Sequence, residues 1–200
     1  MDNFENYMYL AGGWILYLAL HSFMASISVK MFFKQNGLKG RSYRIFYNVI
    51  AITGLLVLLL YNSTFGHQRV LPNNEVLKIM ALCLGGIGVL ILHATFKQYS
   101  FKGFLGVKKE ISDILSTKGI LQYVRHPIYL ATILMLMGFF LFDPRYPTMV
   151  SIICIYLYLP VGIWLEEKKL LDQFGDQYRR YKKDVPAIIP DIKRLLKKIT

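Results

Sequence analysis

The chain has 200 residues, 54% of them hydrophobic, and a mean hydropathy of +0.39. It is more apolar than an average soluble protein and too short for several domains, so residues 1–200 are predicted to form a single domain in a membrane. The net charge of +12 does not indicate nucleic acid as a partner, because the basic residues lie between hydrophobic segments rather than along an aromatic-rich surface.

Five long segments contain no Asp, Glu, Lys or Arg. Most have close to the ~20 residues that a helix needs to cross a hydrocarbon core, and the fourth is shorter. They are Asn6–Val29, Ile45–Gln68, Ile79–Phe96, His126–Phe142 and Tyr146–Leu165. The predicted fold class is therefore an all-α membrane protein with about five transmembrane helices.

The basic residues alternate between the two sides of this arrangement. Five lie between the first two spans, six between the third and fourth, and ten after the fifth, which is 21 of the 24 in the chain. Because basic loops stay on the cytoplasmic side, this pattern predicts an N-terminus outside and a C-terminus in the cytoplasm. In a bacterium the membrane would be the inner one.

Polar side chains recur near the predicted cytoplasmic ends of the spans. They are His21, Asn48, His93 and His126, from four different spans. Ionisable groups in a membrane are candidates for function, although any one of these histidines is about as well explained by a hydrogen bond to a neighbouring helix. Cys83 and Cys154 fall in apolar runs and are interpreted as small core residues, so no disulfide or metal site is predicted.

An Arg-His-Pro step, Arg125 to Pro127, opens the fourth span. Arginine and histidine are costly at the mouth of a hydrophobic helix unless a polar partner is present, and proline fits the first helical turn. After the fifth span, apolar residues at helical spacing predict an amphipathic cytoplasmic helix, which would serve as an interfacial anchor or as a lid. These residues are Leu170, Leu171, Phe174, Tyr178 and Tyr181.

Two blocks of residues carry a family signature. The first is Tyr-Val-Arg-His-Pro-Ile-Tyr, Tyr123 to Tyr129, and the second follows about forty residues later. The second comprises Glu166-Glu167, Leu170, Phe174-Gly175, Tyr178, Tyr181 and Val185-Pro186. In this order they resemble the isoprenylcysteine carboxyl methyltransferase superfamily of integral-membrane methyltransferases. His21-Ser22, Tyr43-Arg44 and Tyr47-Asn48 are similar to the branch that includes methanethiol S-methyltransferases.

The resemblance implies S-adenosylmethionine as cofactor, bound by residues 119–190. Arg125 or His126 would bind the cofactor's carboxylate or amino-acid end, and Glu166 and Glu167 its amine or ribose hydroxyls. Pro127 belongs to the same motif. Tyr123, Tyr129 and Tyr178 would line the adenine or face the sulfonium, where an aromatic ring attracts a cation.

The acceptor is predicted to be small or lipophilic, with a thiol preferred, and His93 or His21 would take its proton. Residues 160–165 contain no cation, whereas eukaryotic carboxyl methyltransferases of this type carry arginines there, so a prenylcysteine carboxylate is less favoured. Prenylcysteine carboxyl methylation, lipid-amine methylation and a non-catalytic cofactor-binding protein remain alternatives. Membrane lipids are expected neighbours, and the oligomeric state is not predicted.

Overall fold

The computed structural model describes residues 4–38, 40–72, 74–97 and 114–191. Within these ranges the chain is helical, with a single 3₁₀ turn at Gly119–Gln122 and no strand. The helices are α1 (Phe4–Ala25), α2 (Ile27–Gln35), α3 (Gly40–Ser63), α4 (Glu75–Phe96), α5 (Pro127–Phe142), α6 (Tyr146–Phe174) and α7 (Asp176–Asp184). The predicted all-α class is confirmed.

Four helices, α1, α3, α4 and α6, are long and apolar enough to cross a membrane. Helix α5 is an apolar helix of 16 residues, about 24 Å of rise, and begins at Pro127 as predicted. Together they agree with the prediction of about five spans. The 29 residues of α6 exceed the ~20 that an untilted crossing requires.

The outer faces of these helices are apolar. Large side chains are well exposed on several of them, including Leu16, Leu60, Leu82, Leu90 and Leu157, each at least 66% exposed. Exposed large apolar side chains on this scale mark contact with lipid. The protein is therefore an integral membrane protein.

The described residues group into two compact units. The first holds α1, α2, α3 and α6 as far as Tyr158; its core is formed by Leu10, Trp14, Leu58 and Phe65. Buried polar groups also join its helices. Trp14 Nε1 donates to Ser151 Oγ at 2.8 Å, and Ser151 Oγ donates to Asn62 Oδ1 at 3.1 Å. Such hydrogen bonds stabilise the association of helices in a membrane, where the hydrophobic effect does not drive helices together.

The second unit holds α4, α5, α6 from Leu159 and the C-terminal segment. Helices α4 and α5 approach each other through small residues. A Cβ on Gly138 would lie 2.7 Å from the Ala81 carbonyl oxygen, and one on Gly88 would lie 2.9 Å from the Ala131 carbonyl oxygen. Only glycine permits backbones this close. The prediction of a single domain is not tested by this division and stays a prediction.

The C-terminal end of α6 departs from the predicted amphipathic helix in one respect. Leu170, Leu171 and Phe174 belong to the long helix α6, and only Tyr178 and Tyr181 lie on the short helix α7. Gly175 separates the two helices with φ of 52°, a conformation that favours glycine. Apolar and aromatic residues keep the same helical spacing on both sides of Gly175, so the sequence pattern did not reveal the break between the two helices.

Candidate functional site

The Arg-His-Pro step is presented by a tight turn at the start of α5. The 3₁₀ turn Gly119–Gln122 precedes it, and the Leu130 N–H donates to the His126 carbonyl at 3.1 Å. His126 is thus the residue before the first helical turn, where Pro127 needs no hydrogen-bond acceptor. The side chains of Arg125 and His126 consequently project from the mouth of the helix rather than from its sides.

The segment after α7, residues 185–191, is here termed the C-terminal strap. Its carbonyl groups pair with the Arg-His step: Arg125 N–H donates to Pro186 O at 2.9 Å and His126 N–H to Ala187 O at 3.0 Å. Asp191 N–H in turn donates to Tyr123 O at 3.1 Å. The strap therefore satisfies backbone groups at the helix mouth and fixes their direction.

Glu167, near the end of α6, is the partner that the sequence required for Arg125 and His126. Its Oε1 accepts from Arg125 Nε at 3.1 Å, from Arg125 Nη2 at 2.7 Å and lies 3.1 Å from His126 Nε2. Its Oε2 accepts from Lys182 Nζ at 2.5 Å. The side chains of Arg125 and Glu167 are only 9% and 8% exposed, so water screens this ion pair little.

Arg125 also binds the end of α7. Its Nη1 donates to the Lys182 carbonyl at 2.9 Å and to the Val185 carbonyl. Four of its hydrogen bonds are therefore made within the chain, out of the five N–H donors that a guanidinium carries. Arg125 ties α6, α7 and the C-terminal strap to the mouth of α5.

His126 faces both glutamates. Its Nδ1 lies 3.7 Å from Glu166 Oε2, too far for a hydrogen bond, and Glu166 is half-exposed. The Tyr129 ring packs edge-on against the imidazole with ring centroids 5.6 Å apart. The structure thus brings Arg125, His126, Glu166 and Glu167 into one cluster, with Tyr129 at its edge.

Tyr178 on α7 presents a buried phenol to the same cluster. The residue is 1% exposed, and its hydroxyl has no hydrogen-bond partner among the described residues. Burial raises the pKa of Tyr178 above its ordinary value, and the Glu167 carboxylate raises it further. The phenol therefore keeps its proton. An unpaired buried hydroxyl is costly, which makes this atom a candidate contact for a ligand.

Neither histidine predicted as a base is among the partners of Glu167 in this cluster. His93 is exposed on α4 and makes no side-chain hydrogen bond or ion pair to the cluster among the described residues. His21 belongs to the first unit, where its Nε2 lies 2.9 Å from Tyr47 Oη. It lines a small cleft with Tyr17, Leu20, Met24, Tyr47, Ile50 and Ala51. The role of either histidine as a base stays a prediction.

Lys182 and the strap carbonyls were not found from the sequence. Lys182 lies one helical turn after Tyr178, which places both on the same face of α7, and this spacing is the one available signal. Nothing in the sequence indicates which backbone carbonyls Arg125 would reach. Tyr181, part of the second motif block, donates from its Oη to the Leu121 carbonyl at 2.7 Å and so anchors α7 to the 3₁₀ turn.

Comparisons with known proteins agree with the motif blocks. A family model described as phospholipid methyltransferase matches residues 76–177. Methanethiol S-methyltransferase 1 of Bradyrhizobium diazoefficiens is 34% identical over 110 residues, 51% of this chain and 38% of that protein. Methanethiol S-methyltransferase of Pseudomonas deceptionensis is 33% identical over 119 residues, 52% and 42% respectively.

Protein-S-isoprenylcysteine O-methyltransferase of Schizosaccharomyces pombe is 33% identical over 92 residues, 46% of this chain and 39% of that protein. The aligned part spans roughly two fifths of the length of these three relatives. No solved structure matches the chain significantly. These matches confirm the predicted superfamily and branch. The family model matches just over half of the residues of this chain, so the chain belongs to the phospholipid methyltransferase family.

Proposed function

We propose that the protein is an integral-membrane methyltransferase that transfers a methyl group from S-adenosylmethionine to a small or lipophilic thiol. Family membership and the names of the relatives support methyl transfer. The single observation that carries the proposal is the buried cluster of Arg125, His126 and Glu167 beside the unpaired phenol of Tyr178.

The donors and acceptors of this cluster fit the amino-acid end of S-adenosylmethionine, which carries an ammonium and a carboxylate. Glu166 and the Oε2 atom of Glu167 are acceptors suited to an ammonium or to ribose hydroxyls. Tyr178 and the remaining N–H of Arg125 are donors suited to a carboxylate or a hydroxyl. The unpaired hydroxyl gains a partner in this way, so the residues present fit the cofactor.

When bound, S-adenosylmethionine supplies the methyl group and its own leaving group. The task of the protein is to hold the methyl carbon in line with the acceptor, and proximity alone can lower such a barrier by several kcal/mol. We assign orientation to the cluster, because Arg125 fixes Glu167 and the strap fixes His126. Tyr123 and Tyr129 would offer ring faces to the adenine or the sulfonium.

A thiol reacts as its thiolate, so a basic side chain close to the bound thiol would promote methyl transfer by taking the thiol proton. Of the two proposed bases His21 is the stronger, because it lines a cleft with Tyr47 whereas His93 is exposed. A thiol also fits the uncharged sequence of residues 160–165, which offers no cation to a prenylcysteine carboxylate. The charge distribution supports a C-terminus in the cytoplasm, where the cofactor is available.

Binding of S-adenosylhomocysteine to the purified protein in detergent tests the site. We expect Glu167→Gln to weaken binding about 10-fold or more, since a charge-assisted hydrogen bond contributes about 1.5–3 kcal/mol. Glu75→Gln is the matched control: Glu75 also pairs with a lysine, Lys78, at 2.8 Å, but its side chain is 80% exposed. Equal binding by wild type, Glu167→Gln and His126→Ala would remove the proposed site.

The acceptor is tested separately, by incubating the protein with methyl-labelled S-adenosylmethionine and a panel of acceptors. Small thiols, a prenylcysteine and lipid amines separate the three chemistries that the superfamily allows. Label in a thiol supports the proposal. Label only in the carboxylate or only in the amine assigns one of the alternatives, and binding without any transfer assigns a non-catalytic protein.

A further inference from the structure

The Lys182 ammonium donates to one of the two oxygens of the Glu167 carboxylate. The Oε1 atom has Arg125 and His126 as partners, whereas the described residues offer Oε2 only the Lys182 ammonium, at 2.5 Å. The Lys182 side chain is 46% exposed, against 9% for Arg125. The carboxylate therefore has one fixed, buried face and one face covered by a solvent-accessible cation.

The Lys182 side chain is free to leave without disturbing its helix. Its backbone carbonyl accepts from Arg125 Nη1 at 2.9 Å, and the neighbouring Tyr181 hydroxyl donates to the Leu121 carbonyl at 2.7 Å. These bonds hold α7 whether or not the ammonium contacts Glu167. A lysine ammonium is a compact charge on a flexible stem, and water readily solvates it.

We propose that Lys182 is a placeholder for the α-ammonium of the ligand, which displaces it from Glu167 Oε2 on binding. This inference rests on the proposed function, because the amino-acid end of S-adenosylmethionine carries the same primary ammonium that Lys182 presents. The exchange replaces one cation by another at Oε2, so this oxygen keeps a charge-assisted hydrogen bond when Lys182 leaves. Arg125 stays in place throughout.

The placeholder has a consequence for specificity. A ligand with an ammonium must compete with Lys182, whereas a nucleoside thioether that lacks the amino-acid part has no group to put on Oε2 and leaves the ion pair intact. Lys182 therefore sets the affinity for ligands that carry the amino acid and leaves unaltered the affinity for those that do not. Two compounds serve as probes: S-adenosylhomocysteine carries the amino-acid part, and 5′-methylthioadenosine lacks it.

The experiment titrates both probes into wild type, Lys182→Gln and Lys182→Arg in detergent by calorimetry. We expect Lys182→Gln to bind S-adenosylhomocysteine about two- to fivefold more tightly, the size of one half-exposed ion pair, and 5′-methylthioadenosine with unchanged affinity. Lys182→Arg keeps a cation and is expected to return the affinity towards wild type. Lys183→Gln is the control, since Lys183 is exposed on α7 and has no ion pair among the described residues.

Three results would overturn the placeholder. Weaker binding of S-adenosylhomocysteine alone by Lys182→Gln would show that Lys182 contacts the ligand directly. An equal change for both probes would show a structural role for the ion pair, and unchanged affinity for both would show that the ammonium is not displaced. If wild type binds neither probe, the proposed function itself fails, and the inference fails with it.

Discussion

Replacing Arg125 by lysine is expected to loosen the C-terminal segment while keeping the charge. A single ammonium can stay near Glu167, but it cannot also reach the carbonyls of Lys182 and Val185, which Arg125 Nη1 contacts. Each lost hydrogen bond from a charged donor contributes about 1.5–3 kcal/mol, so we expect a loss of about 3–6 kcal/mol in the free energy of unfolding. The arginine is 9% exposed, so solvent screening reduces this little.

The assay is thermal unfolding of the purified protein in detergent. For a chain of this size ~1 kcal/mol corresponds to a shift of about 2–4 °C, so Arg125→Lys should lower the midpoint by about 6–24 °C. Arg179→Lys is the matched control on α7, where Arg179 pairs with Asp176 at 3.1 Å but both side chains are more than 70% exposed. That variant should stay within about 0.5 kcal/mol of wild type. Equal midpoints for the two variants would refute the reasoning.

Three further substitutions test separate parts of the structure. Tyr178→Phe should leave the unfolding midpoint unchanged or raise it, because it removes an unpaired buried hydroxyl. The same substitution should weaken S-adenosylhomocysteine binding about fivefold. Unchanged binding would exclude the hydroxyl as a contact of the ligand. Gly138→Ala should destabilise the protein by about 1–3 kcal/mol, because the added Cβ clashes with α4. Gly86→Ala is the control, because a Cβ there has no neighbour within 4 Å. Equal thermal unfolding midpoints for the two variants would contradict this prediction. Ser151→Ala should cost about 1 kcal/mol in the same measurement, since the Trp14 indole loses its acceptor; no change would show that this bond is unimportant.

The sequence predicts the helical spans because each is a long apolar run with a charged boundary, a pattern set by the bilayer alone. It also predicts the start of α5, since Pro127 is compatible with a first turn and with little else in a helix. The break at Gly175 was not predicted. The residues on both sides keep helical spacing, and a single glycine does not reveal its backbone conformation from sequence.

The cluster was predictable in part. A buried arginine at a helix mouth requires an anionic partner and a buried histidine requires a hydrogen-bond partner, and Glu167 is the partner of both Arg125 and His126. Lys182 and the strap carbonyls were not predictable, because they depend on how α7 turns back after Gly175 and on which carbonyls then face the guanidinium. Contacts of this kind follow from three-dimensional packing rather than from any local pattern.

Methyl transfer to a thiol is tested most directly by following label from S-adenosylmethionine into a volatile thioether, with methanethiol as acceptor and the full chain in detergent or lipid. We expect wild type and Glu75→Gln to form the labelled thioether and Glu167→Gln to form little. Transfer to no thiol, with label instead in a prenylcysteine, in a lipid amine or in no acceptor, would contradict the proposed thiol methyltransferase.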